Sequence, residues 1–152
     1  MKIIFGLLAM LFLLLGGIFA YQKYLKDSTI LPQKTATVTI KNYVFKLLVA
    51  KTDKEKEIGL SGKISIDKDS GMIFVFENKD YHPFWTKNMK FPIDMIYINN
   101  NRIITIHSNV PPVTDKEPTS FIYKPEEPAG IVIEITSGLS KEYGFQKGDE
   151  VK

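Results

Sequence analysis

From Ile3 to Ala20 the chain runs for 18 residues without a charge, IIFGLLAMLFLLLGGIFA. As an α-helix at ~1.5 Å per residue this run would reach about 27 Å, close to the ~30 Å hydrocarbon core of a bilayer. Tyr21, Tyr24 and Leu25 extend it into an interface, where tyrosine is favoured, and Lys23 and Lys26 stop it. A cleaved signal peptide has a shorter apolar core, about 7–15 residues, with small residues before the cut. Here Ile18 fills a place where A-x-A cleavage wants a small side chain. Residues 1–25 therefore read as an uncleaved N-terminal membrane helix, with a cleaved signal as the alternative. Lys2 opposes Lys23 and Lys26, so the positive-inside rule nearly cancels. Export of the C-terminal part is the usual outcome for such leaders. Residues 26–35, KDSTILPQKT, read as a polar tether in which Pro32 discourages helix. The expected location is the cell membrane, with a single span through residues 3–20 and residues 36–152 as one extracytoplasmic domain. Secretion results instead if the leader is cut.

The charge of the chain is set by its leader. Residues 1–34 carry Lys2, Lys23, Lys26 and Lys34 against Asp27, which accounts for the whole formal charge of +3. Residues 35–152 carry 16 basic and 16 acidic side chains and are neutral. A nucleic-acid partner needs a basic face to neutralise phosphates, and a single arginine, Arg102, stands among the 20 basic residues. Nucleic acid is therefore excluded as an expected partner. The absence of cysteine removes disulfides, thiolate metal sites, cysteine nucleophiles and lipid modification of an N-terminal cysteine.

Short β-like runs separated by turns dominate the rest. They are Val38–Ile40, Val44–Ala50, Met72–Phe76, Ile93–Ile98, Arg102–His107 and Ile131–Ile135. Asn99-Asn100-Asn101 joins two of them and tolerates the positive φ that a tight hairpin needs. Thr52-Asp53-Lys54-Glu55 is a capping box that should open a short helix over about 53–59, ended by Gly59. A second short helix is expected over about 139–143, ended by Gly144. Five prolines between Pro111 and Pro128 break up the crossing at 108–129. With no βαβ rhythm, the expected fold is mostly β, a β-rich α+β domain. It should form a compact barrel-like body or closed sandwich with one or two short helices, preceded by the N-terminal hydrophobic helix.

The common catalytic signatures are missing, among them H-E-x-x-H, G-x-S-x-G, G-x-G-x-x-G and the P-loop. No residue is assigned a catalytic role, and no cofactor is expected. Glu77, Asp80, His82 and Asp94 could in principle hold a divalent ion, but their spacing does not require it. Solvated loop charges explain Glu77 and Asp80 better, so no metal is expected.

The densest stretch is 82–98, His82-Pro83-Phe84-Trp85-Thr86-Lys87-Asn88-Met89-Lys90-Phe91-Pro92-Ile93-Asp94-Met95-Ile96-Tyr97-Ile98. In an extended segment Trp85 and Lys87 share one face, with Thr86 and Asn88 on the other. Trp beside Lys makes a ligand platform, because the ring stacks on planar groups and attracts cations. The competing reading is a core tryptophan with Lys87 lying over it. Asp94, between Pro92 and an apolar run, must be satisfied by backbone donors or Lys87, or serve as an acid or base. The candidate ligand-binding residues are His82, Trp85, Lys87, Asn88 and Asp94.

From about Val38 to Lys152 the chain resembles the domain of unknown function 192 family of small, often exported bacterial and archaeal proteins. The resemblance rests on pieces that stand in order. Glu55-Lys56 and Gly59-Leu60-Ser61-Gly62-Lys63 match its helix and subsequent turn, and Gly71-Met72-Ile73-Phe74-Val75-Phe76 its G-M-[LI]-F-x-F strand. Phe84-Trp85-Thr86-Lys87-Asn88 and Pro92-Ile93-Asp94 match its F-W-M-K-N-T-x-x-P-[LI]-D signature. Pro128-Ala129 and Gly148-Asp149 match its closing elements. Thr86 stands where the family has Met, and Met89 where it has Thr. The resemblance implies a small, mostly β, barrel-like domain and supplies no reaction.

These readings converge on a non-catalytic ligand-binding or accessory module of the cell envelope, with an envelope glycan, peptide or protein as its ligand. Two alternatives remain. One is a hydrolase using Asp94 with Lys87 or a histidine as acid and base; the other is a structural partner of another membrane protein.

Overall fold

A computed structural model describes residues 15–19, 34–113 and 121–152. Residues 15–19 are helical. The rest of the expected membrane span over 3–20, and the tether up to residue 33, lie outside the described residues. Among those described, no helix is long and apolar enough to cross a membrane.

Among the described residues the domain contains six strands, β1 (Thr35–Ile40), β2 (Tyr43–Ala50), β3 (Ser70–Asp80), β4 (Ile93–Asn99), β5 (Arg102–Val110) and β6 (Ala129–Thr136). Two short helices accompany them, α1 (Asp53–Ile58) and α2 (Leu139–Glu142). The capping box forms as its residues require. Thr52 accepts from the Glu55 amide, and the Glu55 carboxylate accepts from the amides of Thr52 and Lys51. Asn100 and Asn101, at φ 48° and 57°, make the two-residue β4–β5 turn whose twist suits a hairpin.

All six strands join one sheet in the order β1-β2-β3-β6-β4-β5. Its pairings are antiparallel except β2 with β3, which run parallel and are linked through α1. One β-α-β crossover is thus present where the strand pattern had indicated none. The signal was weak because α1 has only six residues and no buried side chain.

The expected closed barrel or sandwich is corrected in one respect: the sheet does not close by strand pairing, and β1 and β5 are its two edges. The last residues of the chain lie across both edges instead. Thr39 and Lys152 exchange backbone hydrogen bonds at 2.7 and 2.9 Å, while Ile103 donates to Asp149 and Val151 donates to Asn101. This segment satisfies edge groups that would otherwise invite association.

Alternation along the strands sends side chains into two cores. Ile96 and Ile98 of β4 and Ile133 and Ile135 of β6 enter a first core, shared by all six strands and covered by Leu139, Phe145 and Val151. Ile93, Met95 and Tyr97, with Met72, Phe74 and Val132, enter a second core on the other face. Leu60 and Met89 cover this second core, and Phe84 and Phe91 pack against it. Gly71 fits the crowded β3–β6 pairing because a Cβ there would lie 2.1 Å from the Glu134 carbonyl oxygen. That close approach accounts for the glycine opening the Gly71-Met72-Ile73-Phe74 motif.

Candidate functional site

The stretch from Phe84 to Met89 alternates as an extended segment should. Phe84 packs edge-on to Phe74 with centroids 4.9 Å apart, and exchanges backbone hydrogen bonds with Tyr123 at 2.9 Å. Thr86 is fully buried, and its hydroxyl donates to the Pro111 carbonyl at 2.7 Å. Trp85 and Lys87 point the other way. Trp85 is 58% exposed, so it is no core anchor, and the Lys87 ammonium sits 5.4 Å from the centre of its ring. The shared face expected for these two side chains is present, and the packed-tryptophan reading is overturned.

Asn88 owes its place to backbone geometry. At φ 60° it turns the chain sharply, letting Met89 re-enter the second core. Its carbonyl accepts from the Gly62 amide at 3.2 Å, and the Lys87 carbonyl accepts from the Ser61 hydroxyl at 3.1 Å. Two family motifs, the Gly59–Lys63 turn and the Trp85–Asn88 loop, are therefore latched to each other.

Asp94 stands apart. By strand alternation it faces the first core with Ile96 and Ile98, on the side of the sheet away from Trp85. It is fully buried and accepts three backbone hydrogen bonds, from Asn109 at 2.8 Å, Gly138 at 2.9 Å and Ser140 at 2.7 Å. These bonds pin the end of β5 and the start of α2. Of the two fates expected for this carboxylate, satisfaction by backbone donors is the one observed; Lys87 takes no part. His82 stacks on Phe76 at 3.6 Å, and its Nε2 lies 3.0 Å from the Asn78 carbonyl. Among the described residues no three His, Asp or Glu side chains converge to hold a metal ion.

Between α1 with its adjoining turn and the 82–89 segment lies a cleft of about 470 Å³. Its size is that of a small-molecule site. Leu60, Phe74, Phe76, Phe84 and Met89 give it apolar walls, and the exposed side chains of Ile58, Trp85 and Ile122 stand in its lining. His82 and Lys87 also line it, whereas Asn88 and Asp94 do not. Of the two positions that depart from the family signature, Met89 faces the cleft and Thr86 does not.

One lining residue was not singled out in the sequence. Glu134 lies in the middle of the apolar run Ile131–Ile135 on β6, opposite Met72 of β3 and Met95 of β4. Alternation turns it toward the second core, where it is 3% exposed yet still lines the cleft. Among the described residues its carboxyl group makes no hydrogen bond or ion pair. Burial in these apolar surroundings pushes Glu134 up to about 8, so it is largely protonated at neutral pH. The nearby Tyr97 hydroxyl donates to the Tyr123 carbonyl at 3.0 Å, and burial and the neighbouring Glu134 hold its ionisation above the usual tyrosine range. A lone glutamate inside a strand buried on both faces was the available signal.

No curated protein matches the chain. Two solved structures share the fold at 26% identity. One is a protein of unknown function from Novosphingobium aromaticivorans, with a TM-score of 0.74 over 82% of this chain and 89% of that one. The other is a Sinorhizobium meliloti protein described provisionally as a transcription regulator, with a TM-score of 0.72 over 79% of this chain and 94% of that one. The family model described as "Uncharacterized ACR" matches residues 36–152, which include both latched motifs, the cleft and the Asp94 anchor. On that match across most of its length, the chain belongs to the domain of unknown function 192 family.

Proposed function

We propose that the domain is a non-catalytic module that binds a small molecule in the cleft between α1 and the 82–89 segment, and that residues 3–20 hold it at the outer face of the cell membrane. The observation that carries the binding reading is an apolar, aromatic-walled cleft with a buried carboxyl group in its lining, Glu134, which has no hydrogen-bond or ion-pair partner among the described residues. A folding core gains nothing from such a group, since burying a carboxyl without a partner costs stability. Its retention in an open cleft fits a ligand-facing role. The exposed Trp85 and Ile122 add apolar surface to the lining.

The hydrolase reading loses its acid. Asp94 is occupied by three backbone donors on the far side of the sheet, while His107 packs on Tyr97 and His82 on Phe76. The description of the Sinorhizobium relative does not transfer easily, because residues 35–152 carry no net positive charge to meet phosphates.

Trp85 is the only tryptophan, so its fluorescence reports on the cleft alone. A fragment library titrated onto the full chain in lipid nanodiscs should give hits that shift Trp85 emission and the amide resonances of residues 58–61 and 84–89. Hits that map elsewhere, or none, would remove the binding reading. Crosslinking to a membrane protein through Trp85 and Ile122 would favour a structural partner instead. For the location, external protease should cut the domain from intact spheroplasts; full protection would contradict it.

A further inference from the structure

The character of the ligand is set by the groups that the cleft offers, given the binding reading above. Among the described residues, the buried charged residue in its lining is Glu134, flanked across the sheet by Met72 and Met95 and sharing the lining with Phe74 and Met89. The other charged residues in the lining are Lys56 and Glu57 of α1 and Lys87. Lys56 pairs with Asp53 at 3.1 Å and lies over the Phe76 ring at 4.9 Å, while Lys87 lies over Trp85. Burial is what pushes the Glu134 carboxyl up.

An organic cation would have to pass two lysines and displace the Glu134 proton before it could pair. An anion would gain from the lysines but meet only hydrocarbon and an acid deeper in. A neutral carboxyl group presents one O–H donor and one C=O acceptor side by side. Its complement is a group that presents an acceptor and a donor side by side, as a carboxamide, lactam or imide does. We propose that the cleft binds uncharged, largely apolar molecules that set an amide-type edge against the Glu134 carboxyl group. The aromatic walls take the body of the ligand, and Trp85 covers its outer end.

Among the described residues, several other titratable groups stand near enough to bear on a pH test. Tyr97 from β4 stays neutral throughout the useful range, His107 from β5 packs against Tyr97 and Tyr123, His82 lies in the lining on Phe76, and Lys56, Glu57 and Lys87 also line the cleft. The test uses four probes of one shape on the full chain: 3-phenylpropanamide, 3-phenylpropylammonium, 3-phenylpropanoate and propylbenzene. Binding is read from Trp85 fluorescence and from amide resonances of the cleft. The amide should bind at least tenfold more tightly than either ion at pH 6.5, and its affinity should fall tenfold or more between pH 7 and pH 9.5. In Glu134→Gln, which keeps a donor and an acceptor, amide binding should persist and lose that pH dependence. In Glu134→Met, matched to its methionine neighbours, it should fall at least tenfold while propylbenzene is unaffected. If Glu134→Met does not fold, the Gln variant still decides.

Stronger binding of the ammonium, increasing with pH, would overturn the proposal and leave the binding cleft standing as a cation site. Equal binding of the amide and propylbenzene would overturn it in favour of a purely apolar cleft. Failure of all four probes, together with a fragment screen that finds no cleft hits, would take the binding reading with it.

Discussion

Glu134→Gln should stabilise the protein, and by an amount that depends on pH in a calculable way. In the unfolded chain this carboxyl ionises near its ordinary value of 4.5, while in the folded protein burial pushes it up to about 8. Between those two pH values the unfolded state has lost its proton and the folded state keeps it. The folded state then binds more protons than the unfolded, so stability falls as pH rises. The contribution of the neutral form is complete below pH 4.5, declines by about 1.4 kcal/mol per pH unit, and is gone above pH 8. At pH 7 the accumulated loss is on the order of 3 kcal/mol. Glutamine has nearly the same shape and no proton to lose, so the variant lacks this slope. Urea unfolding of both proteins from pH 4.5 to 9 should give curves that nearly meet at pH 5 and diverge steadily until pH 8. The other carboxylates titrate in both proteins and cancel in the difference. Parallel curves over the whole range would mean that Glu134 ionises in the folded state as it does in the unfolded chain.

Substitutions at three further positions separate framework from site. Asp94→Asn replaces one of two acceptor oxygens with an NH2 donor, so either Ser140 or the pair Asn109 and Gly138 loses its acceptor; it should cost about 2–4 kcal/mol of unfolding free energy, leaving the affinity of cleft ligands unchanged. Gly71→Ala drives a Cβ into the Glu134 carbonyl and should cost roughly 3 kcal/mol or more, read as a lowered Tm or loss of folded protein. At Asn88, held at φ 60°, alanine should cost about 1 kcal/mol and glycine little, compared by urea unfolding.

The strands and both helices were legible because alternation, the Thr52–Glu55 box and the Asn100-Asn101 turn are local signals. The parallel β2–β3 pairing and the C-terminal segment lying across both sheet edges depend on contacts between residues far apart in sequence. No period records those contacts. For the site, the Trp85–Lys87 face came from a two-residue repeat. Asp94 and Glu134 show where that reasoning stops. Both are single carboxyl groups inside apolar strands, and the sequence favours neither. Turned to one face by its strand, Asp94 meets three amide donors and becomes an anchor. Turned to the other, Glu134 meets methionines and a cleft. The side of the sheet that each one faces, and the loops that arrive there, decide between framework and site.

A protonated carboxyl group in the cleft, with no partner among the described residues, is the central claim, and its proton can be observed directly. Carbon-13 resonances of the glutamate carboxyl groups in the full chain, with Glu134 assigned through the Gln variant, should place its midpoint near pH 8 in the free protein. Saturation with 3-phenylpropanamide should move that midpoint upward, because a ligand that prefers the neutral acid holds its proton. A midpoint near 4.5 would contradict the claim, and a midpoint near 8 that the bound amide leaves unmoved would contradict the amide-type ligand.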